Sequence, residues 1–544
     1  MLRAHPNHPD ALHLLGVMAL QVGSPETAVE LSERAIRARR SDPSCHCNLG
    51  LAYRALGRSD RAVDCYRKAL AIDADHAEAH FNLGSALIDQ GKTSEAIACY
   101  RRALAIAPDN ADACNSLGIS LAAGGQLDEA IAWWRRAIAI APGYAVPHYN
   151  LAGALTGKGA LEEAIACYRQ AIALKPDYVE AYNNLADTLV LQGKPDQAVA
   201  AYRRATALKP DFARAHTDLG DALRKWGKMD EAVQSLRAAL QLDPEFAEAH
   251  NNLGVALQEM GELEAATASI GTALALNPEL SEAHFNLHTL LVDPDDLGPC
   301  IACLQKALAL KPDDDEFRFS LGLVLDYSGA SEAAAPHLER SAKGSALHRA
   351  KLDAWRHVRS AQAKLPRITG SPIEAFRLGL AAARNDGLVL EFGVRFGTSI
   401  RQIAALANQE VHGFDSFEGL PEAWHDEPRG SYTTDGVIPA VPPNVILHPG
   451  WFEDTLPAFA AKHPGPVRFM NIDCDIYSAT RTVLELLAER VVAGTVIVFD
   501  EFIGYEHWRE DEFRAFQEAA ATNGWKYEYL CFSFSTKQVA VRIL

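Results

Sequence analysis

Small, apolar and helix-ending positions recur along more than 60% of the chain with a single period of 34 residues. Small residues stand at Gly16, Gly50, Gly84, Gly118, Ala152, Ala186, Gly220 and Gly254, lapse at His288 and resume at Gly322. A second series runs Ala28, Ala62, Ala96, Ala130, Ala164, Ala198, Ala232 and Ala266, with Cys300 in register and Ala334 after it. Prolines keep the same step from Pro108 to Pro312. Ten units are readable, from about Pro9 to Gly344, and each predicts two helices. The small residue lets the two helices of a unit cross closely. A glycine seven positions later, from Gly23 to Gly329, ends the first helix, because positive φ costs glycine least. The alanine admits the second helix, and the proline stops it. Unit nine has Asp295 within Val292-Asp293-Pro294-Asp295 where that glycine belongs, so an irregularity is expected there.

After Gly344 the period stops. Residues 345–380 read as a helical connector, with a break at Pro366 to Pro372. Short apolar runs then alternate with helical stretches, the pattern of βαβ units and a parallel sheet. The runs begin at Leu388, Val411, Val445, Val467 and Val496, and Lys526–Phe532 and Gln538–Ile543 flank a short turn as a terminal hairpin. The chain is therefore expected to divide into residues 1–344, an α-solenoid; 345–380, a connector; and 381–544, an α/β domain.

The repeat spacing resembles the tetratricopeptide repeat (TPR) family, whose members stack such units into a superhelix with a concave groove. Two positions before each small residue runs a polar column: Asn48, Asn82, Ser116, Asn150, Asn184, Asp218, Asn252, Asn286 and Ser320. It resembles the asparagine ladder of the O-linked N-acetylglucosamine transferases. A side-chain amide both donates and accepts, so Asn48, Asn82, Asn150, Asn184, Asn252 and Asn286 are candidates to hold an extended peptide. The alternative is that they satisfy neighbouring helices. The resemblance implies a protein or peptide partner in the groove.

The first strand of the α/β domain ends in Glu391-Phe392-Gly393-Val394-Arg395-Phe396-Gly397-Thr398-Ser399. A glycine-bearing strand end lets backbone approach a ligand at the start of the next helix. The stretch lacks the third glycine of a dinucleotide fingerprint, which disfavours a nicotinamide dehydrogenase. It resembles the first motif of class I, Rossmann-like, S-adenosylmethionine-dependent methyltransferases. Asp415 ends the second strand, where a carboxylate can accept ribose hydroxyls. Three longer stretches, Gly413 to Pro421, His448 to Pro457 and Ile472 to Thr480, with Val498 to Phe502, resemble the macrocin O-methyltransferase (TylF-type) family. Its members methylate hydroxyls, notably of sugars. The implied cofactor contacts are Glu391, Gly393, Gly397, Thr398, Ser399, Asp415, Ser416, Gly450, Trp451 and Phe452.

A sugar hydroxyl is a poor nucleophile and needs a base or a metal beside it. Asp473 and Asp500-Glu501 end the fourth and fifth strands, at the carboxyl edge. Clustered carboxylates repel one another unless a cation lies between them, and hard oxygen ligands suit Mg²⁺. The resemblance implies the same: Asp473 and Asp500 as catalytic groups, and Asp473, Asp500 and Glu501 as metal ligands. The family commonly has a second aspartate at the position of Glu501. His425, His448 and His507 are further candidate bases, with His448 expected near the cofactor adenine. The polar loop 422–443 is expected to close over the acceptor.

The net charge of −18 argues against a nucleic-acid partner, and no apolar run is long enough to span a membrane. The polar N-terminal stretch and ten cysteines, three of them in one repeat position, point to a cytoplasmic chain without disulfides. Cys300 and Cys303 form a C-x-x-C with no second pair, which points away from a metal or redox centre. The leading expectation is an O-methyltransferase acting on a sugar or glycan, with repeats that recruit a partner. The competing one is a repeat scaffold whose methyltransferase-like domain is inactive. A repeat-fused glycosyltransferase is disfavoured, because the C-terminal domain is too short for two nucleotide-binding domains.

Overall fold

The computed structural model describes residues 7–425 and 427–544. The chain forms two compact units, one ending at Pro210 and the other spanning Asp211–Leu544.

The first unit is six antiparallel helix pairs, α1 (Pro9–Gln21) to α12 (Pro195–Leu208), each about 13 residues long. The recurrent alanines are fully buried. A Cβ on Gly50 would stand 2.6 Å from the Tyr66 ring, and one on Gly118 would stand 2.6 Å from the Trp134 indole. These glycines let the large side chain of the second helix lie against the first. The terminating glycines, Gly23 to Gly193, all have φ between 68° and 79°.

The second unit continues the repeats from α13 (Ala213–Trp226) to α20 (Ser331–Ala342). The irregularity expected in unit nine is present. Helix α17 (Ser281–Leu290) has ten residues, and α18 (Gly298–Leu310) starts only after a turn in which the Asp296 carboxylate accepts from the Gly298 N–H. The connector is not all helix. After α21 (Ala346–Ser360), β1 (Arg367–Ile368) pairs in parallel with a later strand, and α22 (Pro372–Ala382) follows. Helix α22 lies on the sheet where Gly379 faces Phe469 and Val496, a contact a side chain would obstruct.

The sheet has eight strands. Beyond β1 these are β2 (Leu388–Phe392), β3 (Val411–Asp415), β4 (Val445–Pro449), β5 (Val467–Ile472), β6 (Val496–Phe499), β7 (Tyr527–Phe532) and β8 (Val539–Ile543). Their spatial order is β1-β7-β8-β6-β5-β2-β3-β4, and only β8 runs against its neighbours. The order reverses beside β2, so the carboxyl ends of β2 and β5 flank the crevice where ligands of such sheets bind. Helices α23 (Thr398–Ala407), α24 (Phe452–Lys462), α25 (Tyr477–Leu486) and α26 (Glu512–Asn523) connect the strands.

One apolar core runs from Leu297 in the repeats through Phe319 and Trp355 to Phe532 and Ile543 in the sheet. Trp355 packs 5.7 Å from Phe532, and Phe319 packs 5.5 Å from Phe534. Polar bonds tie earlier repeats of this unit to the same domain. The Gln402 amide donates to the Glu259 carbonyl at 2.7 Å, and the Gln258 amide to the Gly370 carbonyl at 2.9 Å. Trp226 meets Phe396 edge-on, with the Lys228 ammonium 3.8 Å from the Trp226 ring.

Among the described residues no helix is long and apolar enough to cross a membrane. The stretch Met1 to Asp10, from which a chain without a leader is expected, lies largely outside the described residues. All ten cysteines are free, and Cys300 is buried in the core.

Candidate active site

Five parallel strands deliver their carboxyl ends to one cleft of about 510 Å³. The backbone sets this convergence. The Gly393 N–H bonds the Phe414 carbonyl at 3.0 Å, the Asp473 N–H bonds the Phe392 carbonyl at 2.8 Å, and the Asp500 N–H bonds the Ile472 carbonyl at 3.0 Å. Gly393 has φ 90°, and a Cβ there would fall 1.7 Å from the Asp473 carbonyl oxygen. Only glycine permits the first loop to pass this close to the end of β5.

Of the expected cofactor contacts, Gly393, Asp415, Ser416, Gly450, Trp451 and Phe452 line the cleft, as do Asp473, Asp500 and Glu501. Glu391, Gly397, Thr398 and Ser399 do not. Glu391 is fully buried behind the first loop, and its Oε1 accepts from the Asn471 amide at 3.0 Å. Burial pushes its carboxyl up to about 8, while Ser399 and Asn471 pull it back. Asp415 works on the protein before it can work on a ligand. Its Oδ2 accepts from the Val394 and Arg395 N–H groups at 2.8 and 2.7 Å, and its Oδ1 accepts from the Phe417 N–H at 2.7 Å. The carboxylate at the end of β3 thus fixes the loop that follows β2. Lone pairs on Asp415 remain available towards the cleft.

Seven carboxylates line the cleft: Asp415, Glu422, Glu453, Asp473, Asp475, Asp500 and Glu501, with Arg395 as the one guanidinium. Burial, then Asp500 and Asp475, drives the Asp473 carboxyl well above its usual range. Among the described residues none donates to its side chain. Asp500 is also raised by burial, and its Oδ1 accepts from the Gln538 amide at 2.6 Å, which pulls it back. Burial pushes Asp475 up to about 7, with Glu501 and Asp500 adding to the shift. Glu501 stands at about 6, raised by burial and restrained by Lys537, whose ammonium contacts both its oxygens at 2.7 and 3.0 Å. As a site for a divalent ion the set fits in part. Asp473 and Asp500 present free carboxylate oxygens, whereas an ammonium already holds Glu501.

The sequence singled out neither Arg395 nor Lys537 as a site residue. Both adopt left-handed backbone, with φ of 47° and 61°. That is an uncommon conformation for a long side chain and is concentrated at functional loops. Arg395 lies 5.0 Å from the Tyr432 ring.

In the loop 422–443, Asp426 lies outside the described residues. The rest is anchored at several points. Leu420 pairs with Ser431 and Gly430 through backbone bonds of 2.9 Å. Asp511 Oδ2 accepts from the Trp424 indole, the His425 ring and the Tyr505 hydroxyl at 3.1, 2.9 and 3.1 Å. Glu422, Trp424 and Tyr432 reach the cleft from this loop. His425, His448 and His507 do not line it. His425 stacks on His507 at 4.3 Å, and His448 stacks on Phe414 at 4.6 Å on one face of the sheet.

The asparagine column stitches successive first helices together. The Asn150 amide donates to Asn115, Asn184 to the Tyr149 hydroxyl, and Asn286 to Asn251, at 2.9–3.0 Å and each across 35 residues. Asn48 makes the same contact with the His13 ring at 3.1 Å. Asn82 is buried, and Asn252 accepts from Asn251.

Comparison with known proteins agrees with both halves. Residues 390–502 match a family model described as a methyltransferase domain. Tetratricopeptide repeat models match residues 47–111 and 83–145, then 154–193, 186–227 and 220–261, and also 247–280. A curated relative is the 8-demethyl-8-(2,3-dimethoxy-alpha-L-rhamnosyl)-tetracenomycin-C 4'-O-methyltransferase of Streptomyces olivaceus, 31% identical over 142 residues. That alignment takes in 21% of this chain and 53% of the relative, so the chain spans about half the length of the curated relative it matches. Among solved structures, yeast Tom70 is 15% identical over 65% of this chain and 97% of its own, with a TM-score of 0.38. YrrB, described as a TPR protein with an unusual peptide-binding site, is 22% identical over 34% of this chain and 96% of its own, with a TM-score of 0.31. The chain carries tetratricopeptide repeats and a methyltransferase domain.

Proposed function

We propose that the methyltransferase domain, residues 381–544, methylates a hydroxyl oxygen of a sugar or glycan, and that the repeats, residues 1–344, bring it a protein or peptide partner. The observation that carries this reading is the meeting of Gly393, Asp415 and Asp473 in one acidic cleft at the carboxyl edge of the sheet. The cleft volume lies within the range of small-molecule sites. The negative lining suits a cationic ligand, and S-adenosylmethionine supplies a methyl group on a positively charged sulfur. The backbone of Gly393 and Gly450 gives close approach to such a ligand, while Asp415 holds the first loop in place. Asp475, poised at about 7, is matched to accept the acceptor's proton near neutral pH. Asp473 and Asp500 line the same cleft, and burial raises both carboxyls, so they can hold protons alongside Asp475. Trp424 and Tyr432, reaching in from the 422–443 loop, exclude water from the reacting atoms. A divalent ion such as Mg²⁺, held by Asp473 and Asp500, would polarise the acceptor hydroxyl. The hydroxyl preference draws support from the Streptomyces olivaceus relative, whose name describes an O-methyltransferase of a rhamnosylated compound.

The test is calorimetric titration of the full chain with S-adenosylhomocysteine, followed by labelled-methyl transfer into cell-extract fractions with and without EDTA. One-to-one binding that Asp415→Ala weakens at least about tenfold is expected, since the substitution frees the first loop. Absence of binding by the unaltered chain would sink the enzymatic reading in favour of a repeat scaffold.

A further inference from the structure

On the face of the sheet covered by α24, His412, His448 and His463 gather with Glu410 at the start of β3, away from the cleft. His412 is 2% exposed. Its Nδ1 lies 3.2 Å from His448 Nε2, and its Nε2 lies 3.2 Å from Glu410 Oε1. A ligand atom each of Glu410, His412 and His463 falls within 4.8 Å of the other two. We propose that Glu410, His412 and His463 bind one Zn²⁺ ion.

Three observations support the site. First, ligand atoms about 2.0–2.1 Å from a tetrahedral zinc stand about 3.3 Å from each other, close to the Glu410–His412 separation of 3.2 Å. Second, the ring of His412 is oriented. If His412 Nδ1–H donates to His448, the Nε2 lone pair points at Glu410, the support that ligating histidines usually receive from a further polar group. Third, the frame is fixed. Arg490 donates to the carbonyls of Ala460, His463 and Gly465 at 2.6–3.0 Å, and the Phe459 ring stacks on His463 at 4.5 Å. Glu410 is exposed, so an ion can enter from solvent, and water can fill the fourth position. Two imidazoles and one carboxylate select zinc over magnesium, which prefers all-oxygen ligands. The rival arrangement is a relay of protons, His448 to His412 to Glu410, which needs no ion and leaves His463 without a role.

The experiment is titration of the metal-stripped full chain with Zn²⁺ against a chromogenic chelator, repeated with Glu410→Gln, His463→Ala and His448→Ala. With excess Mg²⁺ present to fill the Asp473 and Asp500 pair, the proposal expects one zinc bound per chain, at least tenfold weaker binding in the first two variants and a smaller loss in His448→Ala. Mg²⁺ should not compete. Loading with Co²⁺ separates this site from the ten cysteines, because a nitrogen and oxygen site gives tetrahedral d–d bands without a thiolate charge-transfer band. Folding of each variant is followed by far-ultraviolet circular dichroism, and His463→Gln replaces any variant that does not fold. Zinc affinity unchanged in both ligand variants, a thiolate band, or no stoichiometric zinc would overturn the proposal and leave the proton relay.

Discussion

The Lys537 ammonium spans both oxygens of Glu501, so the terminal hairpin supplies a positive charge to the acidic cleft from within the chain. The pair is partly screened, with Lys537 40% exposed and Glu501 16% exposed. Lys537→Met should therefore destabilise the domain by about 1–2 kcal/mol, below the ~3–5 kcal/mol expected for a fully buried pair. Adding Glu501→Gln should restore at least half of the loss. Urea denaturation of the four proteins in the cycle measures the coupling, and additive effects would show that the pair is idle.

Glu391 makes stability depend on pH. Its folded-state carboxyl, at about 8, lies above the ordinary range, so the folded protein keeps a proton that the unfolded chain releases near pH 4. Stability is then greatest at the acid end and falls as pH rises from about 5 to about 8, by up to about 1.4 kcal/mol per pH unit for this group. Glu391→Gln should flatten that slope and raise the melting temperature at pH 8 more than at pH 5. Equal effects at both pH values would show that Glu391 is not the group responsible.

Asp415→Asn replaces one acceptor oxygen with an NH₂ group that must face a backbone N–H. An unmatched donor pair of this kind costs about 1–3 kcal/mol. Because Val394 and Arg395 belong to the first loop, S-adenosylhomocysteine affinity should drop about 5- to 100-fold, while hydrogen exchange accelerates at those two amides. A drop in affinity without faster exchange would assign Asp415 to direct ligand contact alone.

Asn150→Leu removes the bond to Asn115 that joins two consecutive first helices. A typical net loss of ~0.5–1.5 kcal/mol implies about 2- to 10-fold faster hydrogen exchange over Ala145–Gly157. Exchange unchanged there would leave the column free for a peptide alone.

Elements governed by local periodicity were legible in the sequence. The ten helix pairs, the strands beginning at Leu388, Val411, Val445, Val467 and Val496, and the terminal hairpin all follow from spacing and turn residues. The irregularity at Asp295 was legible for the same reason, as a missing glycine in a regular series, though its form as a shortened helix was not. Contacts between distant segments were not. Nothing near Asp415 announces that its oxygens hold Val394 and Arg395, and nothing near Asn150 points to Asn115, 35 residues earlier. β1 was hidden because two residues carry no alternation, and its strand character comes from pairing with β7. Asp475 and Lys537 stand in left-handed backbone at turns that the sequence marks with no glycine, and Arg395 does so between Gly393 and Gly397, which draw the eye in its place.

The shared core of the last repeats and the sheet governs how this chain can be dissected. A fragment beginning at residue 381 would strip Phe319 and Trp355 from Phe532 and Phe534, leaving aromatic faces in water and β7 without its outer neighbour. Silence from such a fragment would report a wounded sheet, and the smallest fragment worth assaying for methyl transfer has to retain the repeats that pack against it.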